Sequence, residues 1–444
     1  MLKLYLEERK RGERFKIHYN INMDKPFKIK RLKCGIKLLF VKDNTKDLVY
    51  FEFCIKNGKI NQLRKEIEHA HMLEHMNGCL TSHKYPSAYE NGISLSKIGA
   101  KTNATTSNYL TRYFIKSHKK YETYIFDLLV NSYMNFQIDE SNFKQEKNSV
   151  IEEIQSKLNE KWKSVYEAHE SIVYKNHPNS INLEERLKKT KKINVSDILK
   201  YRKKHYTCNN TTIIIGGNVN ISFYMKKLNN IFSTYKSNYY KQIYPKRKIK
   251  IKEGIYYKKI DSKSNKLLIS FNTKLNRLNK NKYILELINK LLTGDLSSRL
   301  YSLRTDYGLV YNIKSYEESE IYGKNHANFF IETDISSENI STGYKKIMEI
   351  IKNTKITNNE YKTIRNQIQM EKLLHLQDTS LEKYIEQYIN YVVFNKNVIT
   401  FKDKYKILMS CSKQSLENLL KTVFDNKKCV VMYGGAKKIK FISK

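Results

Sequence analysis

Two histidines four residues apart enclose a glutamate in the pentapeptide His71-Met72-Leu73-Glu74-His75. Residues i and i+4 lie one turn apart on the same helix face, so both imidazoles can reach one metal ion, with Glu74 beside them. The order H-x-x-E-H is the inverted form of the H-E-x-x-H zinc signature. With 11 His and 44 Asp+Glu in 444 residues, chance would supply an H-x-x-[DE]-H about 0.03 times in such a chain. The chemistry implied is metal-assisted hydrolysis, for which a tetrahedral zinc needs a third protein ligand and an open position.

A third ligand is sought among the carboxylates. In the stretch Phe143–Ile154, Val150, Ile151 and Ile154 recur with Leu158 at helical spacing, which predicts a partly buried helix. Glu146 and Glu153 are seven apart and share nearly one face, and Glu153 adjoins apolar Ile154. A carboxylate on the apolar side of a helix needs a partner, and a metal ion is one. Glu152 points about 100° away and reads as a solvated neighbour. Cys79, four positions past His75, reads as a buried cysteine, with a ligand role as the alternative. His69, two before His71, is expected on the exposed side of the helix. His83, His118, His205, His326 and His375 have no metal spacing and read as surface or packing residues.

H-x-x-E-H followed by Glu146-Lys147-Asn148-x-Val150-x-x-Glu153, with 78 positions from His75 to Glu153, resembles the pitrilysin/insulinase family of zinc metallopeptidases. That family includes the mitochondrial processing peptidase. The resemblance extends to Gly99–Ser107 with Thr111 and Tyr113, similar to the family's G-x-x-x-N-A-x-T-S…T-x-Y stretch. It continues through Asn176-His177-Pro178 and Ile193–Tyr206. In the second half, Leu296–Tyr301 and Leu303–Tyr311 are similar to S-S-R-L-F…R-E-x-x-G-L-x-Y. Two departures stand out: Tyr301 replaces Phe, and Thr305 replaces a Glu beside Arg304.

The resemblance implies His71, His75 and Glu153 as ligands of one zinc ion per chain, Glu74 as general base and Glu146 as a carboxylate supporting the ligands. It implies Asn103, Ala104 and Thr105 on an edge strand that pairs with extended peptide. Arg304 and Tyr311 would hold the substrate and the developing oxyanion. The activity implied is a zinc metalloendopeptidase that cleaves short unfolded peptides or processes a peptide precursor. Short family members build their chamber from two chains. A homodimer is therefore expected, with Arg304 and Tyr311 completing the opposite subunit's site; a heterodimer with another chain of the family is the alternative, as is a non-catalytic subunit.

Those residues need a scaffold, and the apolar pattern outlines it. Strands are expected at 48–55, 108–115, 266–272 and 328–333, and helices at 121–136, 141–158, 280–292 and 358–374. Each half closes with an apolar run ending in paired glycines, Ile213–Gly217 and Val430–Gly435. That echo predicts two similar domains of about 200 residues. The fold class is α+β, and the resemblance makes each domain a mostly antiparallel sheet flanked by helices. Residues 1–25 form an unassigned extension, 26–235 the metal-binding domain, 236–252 a Lys/Tyr-rich linker, and 253–444 the domain carrying Arg304 and Tyr311.

Net charge is +38, which ordinarily points to a polyanionic partner. Here lysine far outnumbers arginine and is spread evenly among Asn, Ile and Tyr. Clusters such as Lys246-Arg247-Lys248 and Lys188–Lys192 lack a recognition motif. Solvated lysine faces, rather than a nucleic-acid footprint, are the reading; a polyanion-binding protein is the residual alternative. A cationic peptidase favours acidic or neutral peptides. Six dispersed cysteines without a C-x-x-C favour thiols in a reducing compartment, the cytoplasm. No apolar run is long enough for a membrane span.

Overall fold

The computed structural model describes residues 24–174, 178–235, 239–240, 253–273, 280–319, 327–424 and 429–439. The expected linker lies outside the described residues except for Tyr239 and Tyr240, as do most of the 1–25 extension, Asn176, His177 and His326.

Two mixed sheets, each flanked by helices, form the molecule. The first contains β1 (Phe27–Arg31), β2 (Lys37–Lys42), β3 (Leu48–Ile55), β4 (Lys101–Thr106), β5 (Thr111–His118) and β6 (Thr211–Gly217), in the order β1-β2-β6-β3-β5-β4. The second contains β7 (Gly254–Lys259), β8 (Ser264–Asn272), β9 (Val310–Ser319), β10 (Ala327–Ser336) and β11 (Cys429–Gly435), in the order β7-β11-β8-β10-β9. Only β2–β6 and β7–β11 run parallel; all other neighbours are antiparallel. Leaving β1 aside, the two orders superimpose strand for strand, and the intervening helices follow in the same sequence. The expected duplication is present.

The central strands read as continuous apolar runs because both faces of each sheet are covered. In the first sheet Leu38, Phe40, Phe51, Phe53, Ile213 and Ile215 face one core, while Leu39, Val41, Tyr50, Cys54 and Ile214 face another. That second core is closed by the helix Leu381–Val393, whose Leu381, Ile385, Tyr388, Ile389 and Val392 line one stripe. The second sheet is closed reciprocally: Val165 of the helix Lys163–Val173 packs on Leu268, Phe330 and Met432. Each half therefore lends the other a helix, and the units that pack together do not coincide with the stretches 26–235 and 253–444.

The paired glycines belong to this exchange. A Cβ on Gly216 would meet Leu381 at 3.0 Å, and one on Gly434 would meet Val165 at 2.3 Å. Gly217, at φ +99°, passes so close to β3 that a Cβ would sit 2.0 Å from the Leu48 carbonyl. An ion-pair relay that starts from a buried carboxylate fastens the exchanged helix as well. Glu52, fully buried, accepts from Arg112 and from the Tyr50 hydroxyl at 2.6 Å, and Arg112 reaches on to Glu386.

One strand is displaced from its expected place. Residues 108–110 form a turn in which the Ser107 hydroxyl accepts from the Tyr109 and Leu110 N–H groups, so β5 begins at Thr111. No disulfide joins the six cysteines. Among the described residues no helix is long and apolar enough to cross a membrane.

Candidate metal centre

The motif occupies the helix His69–Gly78, which lies between β3 and β4 in the chain. Met72, Leu73 and Met76 are buried in the first core, which turns His71, Glu74 and His75 toward the opposite side. Against that side lies the helix Glu140–Asn159, anchored by buried Phe143, Val150 and Ile154. It begins with the Asp139 carboxylate accepting from the Asn142 N–H, an N-cap that fixes its start.

His71, His75 and Glu153 come together, with one potential ligand atom from each within 4.8 Å of the others. A Glu153 carboxylate oxygen lies 3.1 Å from His71 Nε2 and 3.7 Å from His75 Nε2. The other oxygen is paired with Lys157 one turn on. Each imidazole has its remaining nitrogen on a carboxylate: His75 Nδ1 is 3.0 Å from Glu146 and His71 Nδ1 is 3.0 Å from Glu68. Holding Nδ1 in this way leaves Nε2 to face a metal, and carboxylate–histidine pairs of this kind orient ligands in metal sites. The donor set, two imidazole nitrogens and one carboxylate, suits a zinc-like ion with one position left open.

Electrostatics agree with the geometry. Burial works against charge on His75, but hydrogen bonds to Glu146 and Glu153 raise its pKa to about 9. His71 is likewise opposed by burial and raised by Glu153 and Glu68. Glu153 is held well below the usual carboxylate range by its hydrogen bonds to both imidazoles. Glu74, whose carboxylate stands 4.0 Å from His71 Nε2, moves the other way: burial pushes it up. A carboxylate raised toward neutrality is suited to accepting and returning a proton. Cys79 is not part of the ligand group; burial lifts its thiol to about 12.

His69 departs from expectation. It is buried, with Nδ1 3.3 Å from the Ile67 carbonyl and its ring 5.6 Å from that of Tyr201. The far side of the motif helix is covered by the helix Val195–His205, so it has no exposed side there. His205 and His375 are buried packing residues, while His83 and His118 are exposed.

Glu68 and Arg186 carry no motif signal beyond the three-residue spacing from Glu68 to His71. Glu68 is 3% exposed and is gripped by Arg186, Nε to one oxygen at 2.6 Å and Nη2 to the other at 3.1 Å. It stands at the N-terminus of the motif helix with φ +69°, a left-handed conformation costing on the order of 1 kcal/mol for a non-glycine residue. Both residues also line a cavity of about 540 Å³ shared with Glu170 and with Glu317 and Glu318 of the second half.

β4 is an edge strand beside the motif helix: Asn103 and Thr105 are exposed, Ala104 half-buried, and the Thr106 hydroxyl donates to the Ala70 carbonyl at 3.4 Å. Arg304 and Tyr311 lie in the other half. Gly308, at φ +58°, turns the chain from the short helix Ser302–Thr305 into β9 and stacks the Arg304 guanidinium over the Tyr311 ring at 5.1 Å. Tyr311 is 77% exposed. Thr305, at the departure, donates to Asp306 at 2.6 Å.

A duplicated sheet-and-helix fold with a two-histidine, one-carboxylate group beside an edge strand defines the class: a candidate metallohydrolase. Residues 37–186 match the model of the insulinase peptidase family, M16, and residues 192–368 match that of the M16 inactive domain. The chain belongs to this family, in its short two-domain form. An uncharacterized zinc protease of Bacillus subtilis, YmxG, is 26% identical over 362 residues, which span 79% of this chain and 85% of that protein. An uncharacterized zinc protease of Rickettsia felis is 25% identical over 383 residues, 85% of this chain and 90% of its own length. Among solved structures, a protease from Helicobacter pylori superposes with a TM-score of 0.79 at 19% identity, covering 93% of this chain and 99% of that one. An M16 inactive domain from Pseudomonas fluorescens gives 0.77 at 14% identity, with 93% and 99% covered.

Proposed function

We propose that the chain is a zinc-dependent metalloendopeptidase acting on extended peptides. The observation that carries this reading is the pair of imidazoles whose Nε2 atoms converge on Glu153 while their Nδ1 atoms are held by carboxylates. Zinc held by His71, His75 and Glu153 would supply Lewis acidity and make water acidic enough to lose a proton near pH ~7. Glu74 accepts that proton and returns it to the leaving amine. Asn103, Ala104 and Thr105 offer edge-strand hydrogen bonds that keep the peptide extended. Arg304 grips the substrate, and the Tyr311 hydroxyl stabilises charge developing on the carbonyl oxygen. Arg304 and Tyr311 stand exposed in the other half, and in this reading they serve the site of a second copy in a homodimer.

The test is metal content by mass spectrometry alongside cleavage of a mixed peptide library. About one zinc per chain and chelator-sensitive cleavage are expected. His71→Ala should bind no zinc; a full complement of metal in that variant would overturn the ligand assignment. Zinc in the parent without cleavage of any library peptide would favour the partner-dependent reading, in which a second chain of the family completes the enzyme.

A further inference from the structure

We infer that Glu68, gripped by Arg186, is a positioning residue for His71, and that the backbone is held in a strained conformation to place it there. This rests on the zinc-site reading above. Among the described residues only Glu68, Leu80 and Asn395 have positive φ without being glycine. At φ +69° glycine would fit freely, and asparagine better than glutamate. Helix N-termini favour Ser, Thr, Asp or Asn, whose short side chains reach back to the first turn. The Glu68 side chain makes no such cap. Capping therefore does not account for a glutamate at this position.

Its hydrogen bonds do account for it. Burial of a carboxylate at 3% exposure requires partners, and those that Glu68 has are His71 itself and Arg186 from the helix beside Glu153. One oxygen takes Arg186 Nε at 2.6 Å; the other takes Arg186 Nη2 at 3.1 Å and His71 Nδ1 at 3.0 Å. The two-point grip of a guanidinium fixes the carboxylate plane as well as its charge. Arg186 belongs to the helix Leu183–Thr190, which packs on the helix carrying Glu153. The chain Glu153-helix, Arg186, Glu68, His71 therefore closes a ring around the ligand atoms. On the other imidazole the same task is done by Glu146, from the Glu153 helix directly. For His71 Nδ1 the contact is made by Glu68, which Arg186 holds from the neighbouring helix.

Glycine at position 68 removes the carboxylate while relieving the strained φ, and it leaves the Arg186 guanidinium without that partner. Metal-free Glu68→Gly is expected to melt below the parent, because the lost ion pair outweighs the relieved strain, so zinc binding is compared at a temperature where both proteins are folded. Its zinc affinity, read by competition with a chromophoric chelator, should fall about 10–100-fold. The visible absorption of the cobalt-substituted protein should shift as His71 loses its fixed orientation. Glu68→Gln, which keeps the shape and the strain, should lose a smaller part of the affinity. Parental zinc affinity in folded Glu68→Gly would overturn the inference, and so would an unchanged cobalt spectrum, since Glu68 would then serve only the fold. A parent that takes up no zinc would overturn the metal reading itself, and this inference with it.

Discussion

The helix between β3 and β4 reads HAHMLEHMNG, and its counterpart between β8 and β9, Ile284–Thr293, reads ILELINKLLT. Met72, Leu73 and Met76 are buried at the fourth, fifth and eighth places of the first; Leu287, Ile288 and Leu291 are buried at the same places of the second. His75 and Lys290 both stand seventh. Glu153 and Glu371 both stand fourteenth in the helices Glu140–Asn159 and Asn358–Asp378 that pack alongside. The second half thus has a Lys290–Glu371 ion pair where the first has His75 facing Glu153. A lysine brings its own cation to the carboxylate, whereas imidazoles leave room for a metal. The core-facing residues set the frame in both halves, and the residues on the opposite face decide whether it carries chemistry. The inactive-domain match of residues 192–368 agrees with that division.

Substitutions can break this comparison, beginning where it is strongest. Glu74→Gln should lower peptide cleavage by about 10²–10⁴-fold with zinc retained; loss of the metal would show that Glu74 supports the ligands instead. Tyr311→Phe, in the half without the histidine pair, should lower kcat by about 10²-fold with little change in KM. Mixing Tyr311→Phe chains with Glu74→Gln chains should restore activity that neither has alone, and failure to complement would rule out a site shared between copies. Ile385→Ala, in the exchanged helix, should cost about 2–4 kcal/mol in denaturant unfolding; a loss below 1 kcal/mol would mean that the helix is not part of the first half's core.

Acidity sharpens the contrast further. The metal-free His75 has its pKa raised from 6.5 to about 9, so its contribution to stability is complete below pH 6.5 and fades as pH rises through about 9. Zinc needs neutral imidazoles and gains over the same interval. The melting-temperature gap between zinc-loaded and metal-free protein should therefore widen from pH 6.5 to 9; a constant gap would count against histidine ligation. Smallest of all, Lys290→Met should shift stability by only ~0.2–1 kcal/mol and leave cleavage unchanged, because Glu371 is 45% exposed.

Much of this was legible in the sequence because helical spacing is itself geometry. His71, Glu74 and His75 declare a shared face by counting, and the apolar residues around Glu153 place it on a partly buried helix. Glu68 was not legible, since its value depends on a left-handed turn that no periodicity encodes. Arg186 lies 115 positions beyond His71 and meets Glu68 only through tertiary packing. The burial of His69 is not encoded in the helical spacing, because the motif helix is covered on a second side, by Tyr201. Amphipathic stripes at Lys163–Val173 and Leu381–Val393 announce that a face must be buried, but not which sheet receives it.

That exchange has a consequence in time. Lys37 in β2 donates to the Val392 and Val393 carbonyls, 355 and 356 positions later in the chain. At about 5–20 residues per second, the outer face of the first sheet is expected to stand uncovered on the ribosome for on the order of ten seconds after β6 has emerged. Its apolar strands need shelter for that long, whether from a chaperone or from early collapse, and emergence of residues 381–393, rather than completion of the first half, sets the moment at which the half carrying His71 and His75 can become fully native.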